Sequence, residues 1–214
     1  MVTSVQTLLN NYPLIVTFII ERRYWLKKIE LLNLQKIKTV SIRAKGHQRV
    51  KIQAPTLQHL LLFFMLQKIL LTWILLNVNL KSLELSLVRI SDGFLEHIIS
   101  RFQSLESLTL HHVGLERKGS TLVGSRSLKD LKICSYTSIG EIDAPNLVSL
   151  EYVGYPIPEL KIAEESSQLK HSNIELAIHN NLSAAFLCKL RKLLSNLTSW
   201  SQPFLYFYKC NEIK

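Results

Sequence analysis

Leu80-Lys-Ser-Leu83-Glu-Leu85-Ser-Leu-Val-Arg-Ile90 and Leu105-Glu-Ser-Leu108-Thr-Leu110-His-His-Val-Gly-Leu115 are two versions of one phrase, set 25 residues apart. Both place leucine at positions 1, 4 and 6. Positions 4 and 6 alternate as in a half-buried strand, and position 1 packs where the chain enters that strand. A phrase recurring at this period belongs to a solenoid, whose units bury their apolar faces only by stacking on one another.

Carried along the chain, the 1-4-6 template matches at Ile15-Phe18-Ile20, Ile37-Val40-Ile42, Leu57-Leu60-Leu62, Leu80-Leu83-Leu85, Leu105-Leu108-Leu110, Leu128-Leu131-Ile133 and Leu147-Leu150-Tyr152. The starts are 19 to 25 residues apart, so the return segments vary while the strand phrase is held. This is the leucine-rich-repeat pattern. It predicts an α/β solenoid of about seven irregular repeats, with a parallel concave sheet and mixed helix and strand returns. Seven strands spaced about 4.8 Å apart would span roughly 30 Å.

After the fourth phrase, Ser91 or Asp92 is placed to cap a helix whose Phe94, Leu95, Ile98, Ile99 and Phe102 share one face. Elsewhere the returns are short and β-rich: Leu26–Leu31, Val50–Ile52 and Ile139–Ile142. Ala54-Pro55-Thr56-Leu57 and Ala144-Pro145-Asn146-Leu147 then turn the chain into the next phrase, where proline's missing donor is tolerated. Beyond Ile162 the template stops. Asn173–Ile178 alternates as a strand, and Ser183 is placed to cap a helix with Phe186, Leu190, Leu193, Leu194 and Leu197 on one face. The run Phe204–Tyr208 reads as a terminal strand. We therefore divide the chain into a solenoid over 1–162 and a capping strand-helix-strand over 163–214.

With 47% apolar residues in 214, the chain can support one sizeable core. Its net charge of +10 is concentrated, since Glu21 to Lys51 alone carries +8. That segment holds Arg22, Arg23, Lys27, Lys28, Lys36, Lys38, Arg43, Lys45, Arg49 and Lys51. A basic patch of this kind would attract inositol phosphates or nucleic acid, but single-strand recognition wants interleaved aromatics and only Tyr24 and Trp25 qualify. Nucleic acid is therefore disfavoured as a partner. The apolar run His59–Val78 is long enough to span a bilayer, but Gln67 and Lys68 fall near its middle, and a central lysine costs about 2.5–3.5 kcal/mol on insertion. No membrane partner is expected. The odd set Cys134, Cys188 and Cys210 has no CxxC spacing, which favours a reducing compartment, cytoplasm or nucleus, and makes the Asn181 and Asn196 sequons incidental.

Catalytic patterns are absent. Gly114 to Thr121 has a phosphate loop's glycine spacing but Ser120 where lysine must stand, and His111-His112 point to opposite faces of a strand, so they cannot share a metal. Neither an enzyme nor a cofactor or metal site is expected. What remains is the concave face, onto which positions 3, 5 and 7 of each phrase point. Small hydroxyl residues are the commonest type among them. Arg43, Phe63, Glu84, Thr109, His111, Lys132 and Glu151 stand out as candidate partner-binding residues, because charged and aromatic side chains carry most interface energy.

The phrase LKSLELSLVRIS from Leu80, the joint IxAPxLxxL at Ile52 and Ile142, and the LRKLLSNL segment from Leu190 together resemble the plant F-box/leucine-rich-repeat (FBD-associated) proteins. The resemblance covers roughly Leu8 to Ile213. It implies a ribonuclease-inhibitor-like, right-handed arc that selects protein substrates for a cullin ubiquitin ligase, with a preceding F-box docking a Skp1-type adaptor. These residues contain no F-box, so the adaptor is a partner only where one lies upstream. They also lack the asparagine ladder of extracellular repeats: Val88, Val113 and Tyr136 stand at its position. Phe63–Asn79 carries little of the phrase. The expectation is a monomeric, non-catalytic binder of a protein substrate. The open alternatives are a basic-surface binder of inositol phosphate or nucleic acid, and a non-functional truncated product.

Overall fold

Hydrogen bonding between strands 19 to 25 residues apart is what the repeated phrase encodes, and the computed structural model shows the resulting pairs. It describes residues 7, 12, 14–23, 28–44, 49–68, 79–90, 93–115, 121–134, 139–154, 157–161, 169–179, 183–195 and 201–208. One set of strands carries the phrases: β1 (Thr17–Arg23), β3 (Thr39–Ala44), β5 (His59–Lys68), β6 (Ser82–Ile90), β7 (Ser107–His111), β10 (Asp130–Cys134) and β12 (Ser149–Gly154). Two later strands, β14 (His171–His179) and β15 (Ser201–Tyr208), extend the same sheet without a break at residue 162. The order is β1-β3-β5-β6-β7-β10-β12-β14-β15, every pair parallel, with the short β8 (Gly114–Leu115) added beside β6. The chain is a parallel-sheet β-solenoid with few helices.

The register follows the phrase. Position 4 runs Phe18, Val40, Leu60, Leu83, Leu108, Leu131 and Leu150 from strand to strand, and position 6 runs Ile20, Ile42, Leu62, Leu85, Leu110, Ile133 and Tyr152. All but Phe18, which is partly buried on the first strand, are removed from solvent. Tyr152 occupies a site that leucine or isoleucine fills in the neighbouring turns, and its burial raises the phenol's pKa well above the ordinary tyrosine value.

Outer elements close the core. They are β2 (Lys28–Leu31) with β4 (Arg49–Ile52), then helix α1 (Phe94–Arg101), then β9 (Thr121–Gly124), β11 (Ile139–Asp143) and β13 (Glu159–Lys161), and finally helix α2 (Ala184–Ser195). The β-rich returns over Lys28–Leu31, Arg49–Ile52 and Ile139–Asp143 therefore form as expected. α1 packs against β9 and α2 against β13. Ile29, Leu31, Val50, Ile52, Leu95, Ile98, Ile99, Val123, Ile142, Leu190 and Leu193 meet the inner leucines in one continuous core.

Two helix expectations need correction. The residue capping α1 is Gly93, in the left-handed region at φ 73°, with no side-chain cap; Ser91 and Asp92 lie outside the described residues. The glycine carbonyl accepts from His97 N–H instead, at 2.9 Å. In α2, Ser183 Oγ does accept from the Phe186 N–H at 3.2 Å, but Leu194 is left exposed and only Leu190 and Leu193 are buried. Leu197 lies outside the described residues.

Side chains just before position 1 tie successive turns together, a device the sequence did not announce. Thr56 Oγ1 donates to the Ile37 carbonyl at 2.8 Å, Ser104 Oγ to Leu80 at 3.2 Å, Ser127 Oγ to Leu105 at 2.8 Å, and Asn146 Nδ2 to Arg126 at 2.7 Å. These small polar groups do what an asparagine ladder does elsewhere, from a different place in the repeat. The turns they sit in are closed by Leu57 N–H to the Ala54 carbonyl, Leu105 to Phe102 and Leu147 to Ala144, at 3.0, 2.9 and 3.1 Å. In the first and third, proline takes the second turn position, where no N–H is needed.

The pattern weakens at β14, where Ser172 replaces the position-4 leucine. Its hydroxyl is buried with no hydrogen-bond partner among the described residues. Leaving such a group unsatisfied costs about 1–3 kcal/mol. Ser172→Ala should therefore raise stability by roughly 1 kcal/mol. By contrast, Leu108→Ala opens a cavity between Leu83 and Leu131 and should cost about 2–5 kcal/mol. Urea unfolding of both variants checks the pair. Destabilisation by Ser172→Ala would show that the hydroxyl is satisfied, and a neutral Leu108→Ala would show that position 4 is not a core site.

Candidate functional site

Because the strands are parallel and in register, each phrase position becomes a straight row across the sheet. Position 5 runs Ser41, Leu61, Glu84, Thr109, Lys132, Glu151, Asn173 and Gln202. Position 7 runs Glu21, Arg43, Phe63, Ser86, His111, Cys134, Val153, Glu175 and Phe204. The candidate residues thus share one face. Glu84, Thr109, Lys132 and Glu151 are consecutive in one row, and Arg43, Phe63 and His111 lie in the next.

Their electrostatics differ from what spacing alone suggests. Lys132 pairs with Glu151 on the neighbouring strand at 2.6 Å rather than with Asp130 two residues away on its own. Adjacent strands bring same-row side chains closer than the i, i+2 spacing along one strand does. Arg43 is likewise tied to Glu21, at 3.6 Å, with both side chains about half exposed. Glu84 accepts a hydrogen bond from Ser86 Oγ at 3.3 Å.

Ser86 itself departs from the expected outward row, being only 5% exposed. The next residue, Leu87, is left-handed at φ 53°, and so is His112 on the neighbouring turn at φ 49°. These two conformers interrupt the alternation at position 8, so that Val88 and Val113 turn into the core at position 9. A left-handed leucine costs about 1–2 kcal/mol, which the burial of Val88 and Ile90 offsets. On the other side, β5 has two residues more than β6 between the pairs Phe63↔Ser86 and Gln67↔Val88. The irregularity of the sequence after Phe63 is thus carried as a bulge at the end of the face.

The basic residues are distributed over several elements. Lys28 faces Arg49, and Glu30 faces Lys51, in the outer β2–β4 pair; Lys36 and Lys38 are exposed ahead of β3; and Arg22 and Arg23 end β1. Lys27 and Lys45 lie outside the described residues. Among the described residues, no three of His, Cys, Asp and Glu gather as a metal site, and no helix is long and apolar enough to cross a membrane. No family model, curated protein or solved structure matches this chain.

Cys134 is the nucleophilic group on the face. Burial first, then the carboxylates of Glu151 and Glu175, push its thiol pKa above the ordinary value, with Lys132 opposing. Cys188 is exposed on α2. The thiolate is the reactive form, so near about pH 8 Cys134 should alkylate more slowly than Cys188, and Glu151→Gln should speed it. Peptide-level mass spectrometry over a time course of iodoacetamide labelling reads both rates. Faster labelling of Cys134 would mean that the face is more open and less anionic than its geometry indicates.

Proposed function

We propose that this chain is a leucine-rich-repeat, non-catalytic protein-binding domain that receives a protein partner across the face built from positions 5 and 7. The observation that carries the reading is the four-strand row Glu84, Thr109, Lys132 and Glu151, flanked by Arg43, Phe63 and His111. It places groups able to anchor an interface side by side on one sheet, in rows whose order the strand register fixes. Such preorganisation lowers the ordering cost of binding.

The resemblance to plant F-box/leucine-rich-repeat proteins supports the finer reading of a substrate-selecting part of a cullin ubiquitin ligase, acting in the cytoplasm or nucleus. A Skp1-type adaptor would then be recruited through an F-box supplied outside these residues. These residues alone should not retain that adaptor in a pull-down, and strong retention would contradict this division of labour.

The face is tested with a partner identified by crosslinking and confirmed by titration with the purified chain. Glu84→Ala and His111→Ala should each weaken its binding by about ten-fold, the size of a modest hot spot, while stability stays within about 0.5 kcal/mol. Lys132→Ala is best measured with Glu151→Ala in a double-mutant cycle, because removing one member leaves the other unpaired. Lys51→Ala, on the outer β4, serves as the control. Parent-like binding by the inner variants, with loss in Lys51→Ala, would move the site to the outer elements.

A further inference from the structure

The residue immediately before each inner strand forms a row of its own. It runs Val16, Lys38, Gln58, Lys81, Glu106, Lys129, Val148 and Lys170, ahead of β1, β3, β5, β6, β7, β10, β12 and β14. Lysine therefore recurs at every second strand. All four lysines are exposed. They come from sites 41 to 48 residues apart in the chain, and no sequence window reveals that they align.

Backbone geometry fixes that alignment. Each carbonyl from Val16 to Val148 accepts two N–H groups from the next turn: Val16 from Lys38 and Thr39, Lys38 from Gln58 and His59, Gln58 from Lys81 and Ser82, and so on to Val148 from Lys170 and His171, at 2.8 to 3.2 Å. At about 4.8 Å per strand, neighbouring lysines stand roughly 10 Å apart along a rim of roughly 30 Å. The one acid in the row, Glu106, takes Lys129 at 3.0 Å. Lys129, by hydrogen bond and then by charge, holds its carboxyl below the usual range against an opposing desolvation, and Lys81 adds the smallest downward push. Lys38, Lys81 and Lys170 form no ion pair among the described residues.

We infer that this rim docks an extended acidic segment of a partner protein, bearing a carboxylate at about every third residue. A polyproline-II-like chain rises about 3.1 Å per residue with three residues per turn, so every third side chain returns to one face after roughly 9.3 Å. That repeat matches the lysine spacing closely enough that the mismatch over the whole row stays near 1 Å, well within a lysine's reach. Nucleic acid fits less well. The exposed aromatics among the described residues, Tyr12, Phe204 and Tyr206, lie at the two ends of the solenoid and offer no stacking platform along the rim. The inference rests on the chain being a protein-binding module, but not on the inner face being where it binds.

A labelled peptide of repeating Glu-Pro-Ala is the probe, with a peptide of the same composition and consecutive glutamates, and an oligothymidylate, as comparisons. At low ionic strength the repeating peptide should bind most tightly and lose affinity as salt rises. Lys38→Gln/Lys81→Gln/Lys170→Gln should weaken it by roughly eight-fold, about two-fold per exposed charge. Glu106→Gln should strengthen it about two-fold by releasing Lys129, a gain that misfolding cannot imitate. Glu84→Ala/His111→Ala should leave peptide binding unchanged while weakening the partner of the inner face, which separates the two readings. The rim is overturned by any of four results: no binding at low salt, equal binding by the triple lysine variant, equal or tighter binding of the consecutive-glutamate peptide, or tighter binding of the oligothymidylate.

Discussion

A single main-chain arrangement underlies the other rows of this molecule: from β1 to β12, the carbonyl just before each inner strand receives two N–H groups from the turn that follows. Glu106, for example, accepts from Lys129 at 2.8 Å and Asp130 at 3.0 Å, and Lys129 in turn accepts from Val148 and Ser149 at 2.8 and 2.9 Å. A shift of one residue between turns would break this double contact and send leucines to the solvent face, since side chains alternate with a period of two. The rung therefore sets register, and register sets which side chains become neighbours. The core row of leucines, the Lys132–Glu151 pair and the lysine rim are all consequences of it.

Fixing the inner edge leaves the outer side free to vary. The return after β6 holds an eight-residue helix, whereas the returns bearing β2, β4, β9, β11 and β13 hold short strands. These outer strands pair only in small groups of two or three, so each need match only its immediate neighbour. What every return must do is arrive at the same joint. Ala54, Phe102 and Ala144 do this with similar turns despite differing side chains, because each is buried and each accepts from the leucine three residues on. The solenoid tolerates unequal repeats because the requirement falls on the joint rather than on the length.

Legibility in the sequence follows the same division. Leucine spacing revealed the inner strands and their register, since both depend on apolar period, which is local. The outer strands after the first, second and sixth phrases were readable from β-rich composition, the last two also from the Ala-Pro joints that follow them. By contrast, the hydroxyls of Thr56, Ser104 and Ser127 look like ordinary turn residues until the carbonyl 19 to 24 positions earlier is brought beside them. The left-handed Leu87 was unreadable for another reason: leucine is a poor choice for φ 53°, and only the burial of its neighbours makes that conformation worthwhile. The candidate face was recovered as a set of rows, but its ion pairing was not. Pairing depends on lateral neighbours that lie a full turn away in sequence.

The same lateral geometry shapes how the face would meet a partner. Lys132 and Glu151 satisfy each other while remaining more than one-third exposed, so their pairing contributes at most about 1 kcal/mol and is easily exchanged for a partner's charges. Glu84 differs, because its one hydrogen bond among the described residues comes from a hydroxyl at 3.3 Å, near the limit for such a bond, and the strand beside it offers Thr109 rather than a cation. A carboxylate with only a weak neutral donor gains more from an incoming cation than one already neutralised. Within a row where charge alternates from Glu84 through Lys132 to Glu151, the unbalanced end therefore lies at Glu84. A partner carrying a basic group would be oriented toward that end, with the Lys132–Glu151 pair serving as an adjustable second contact.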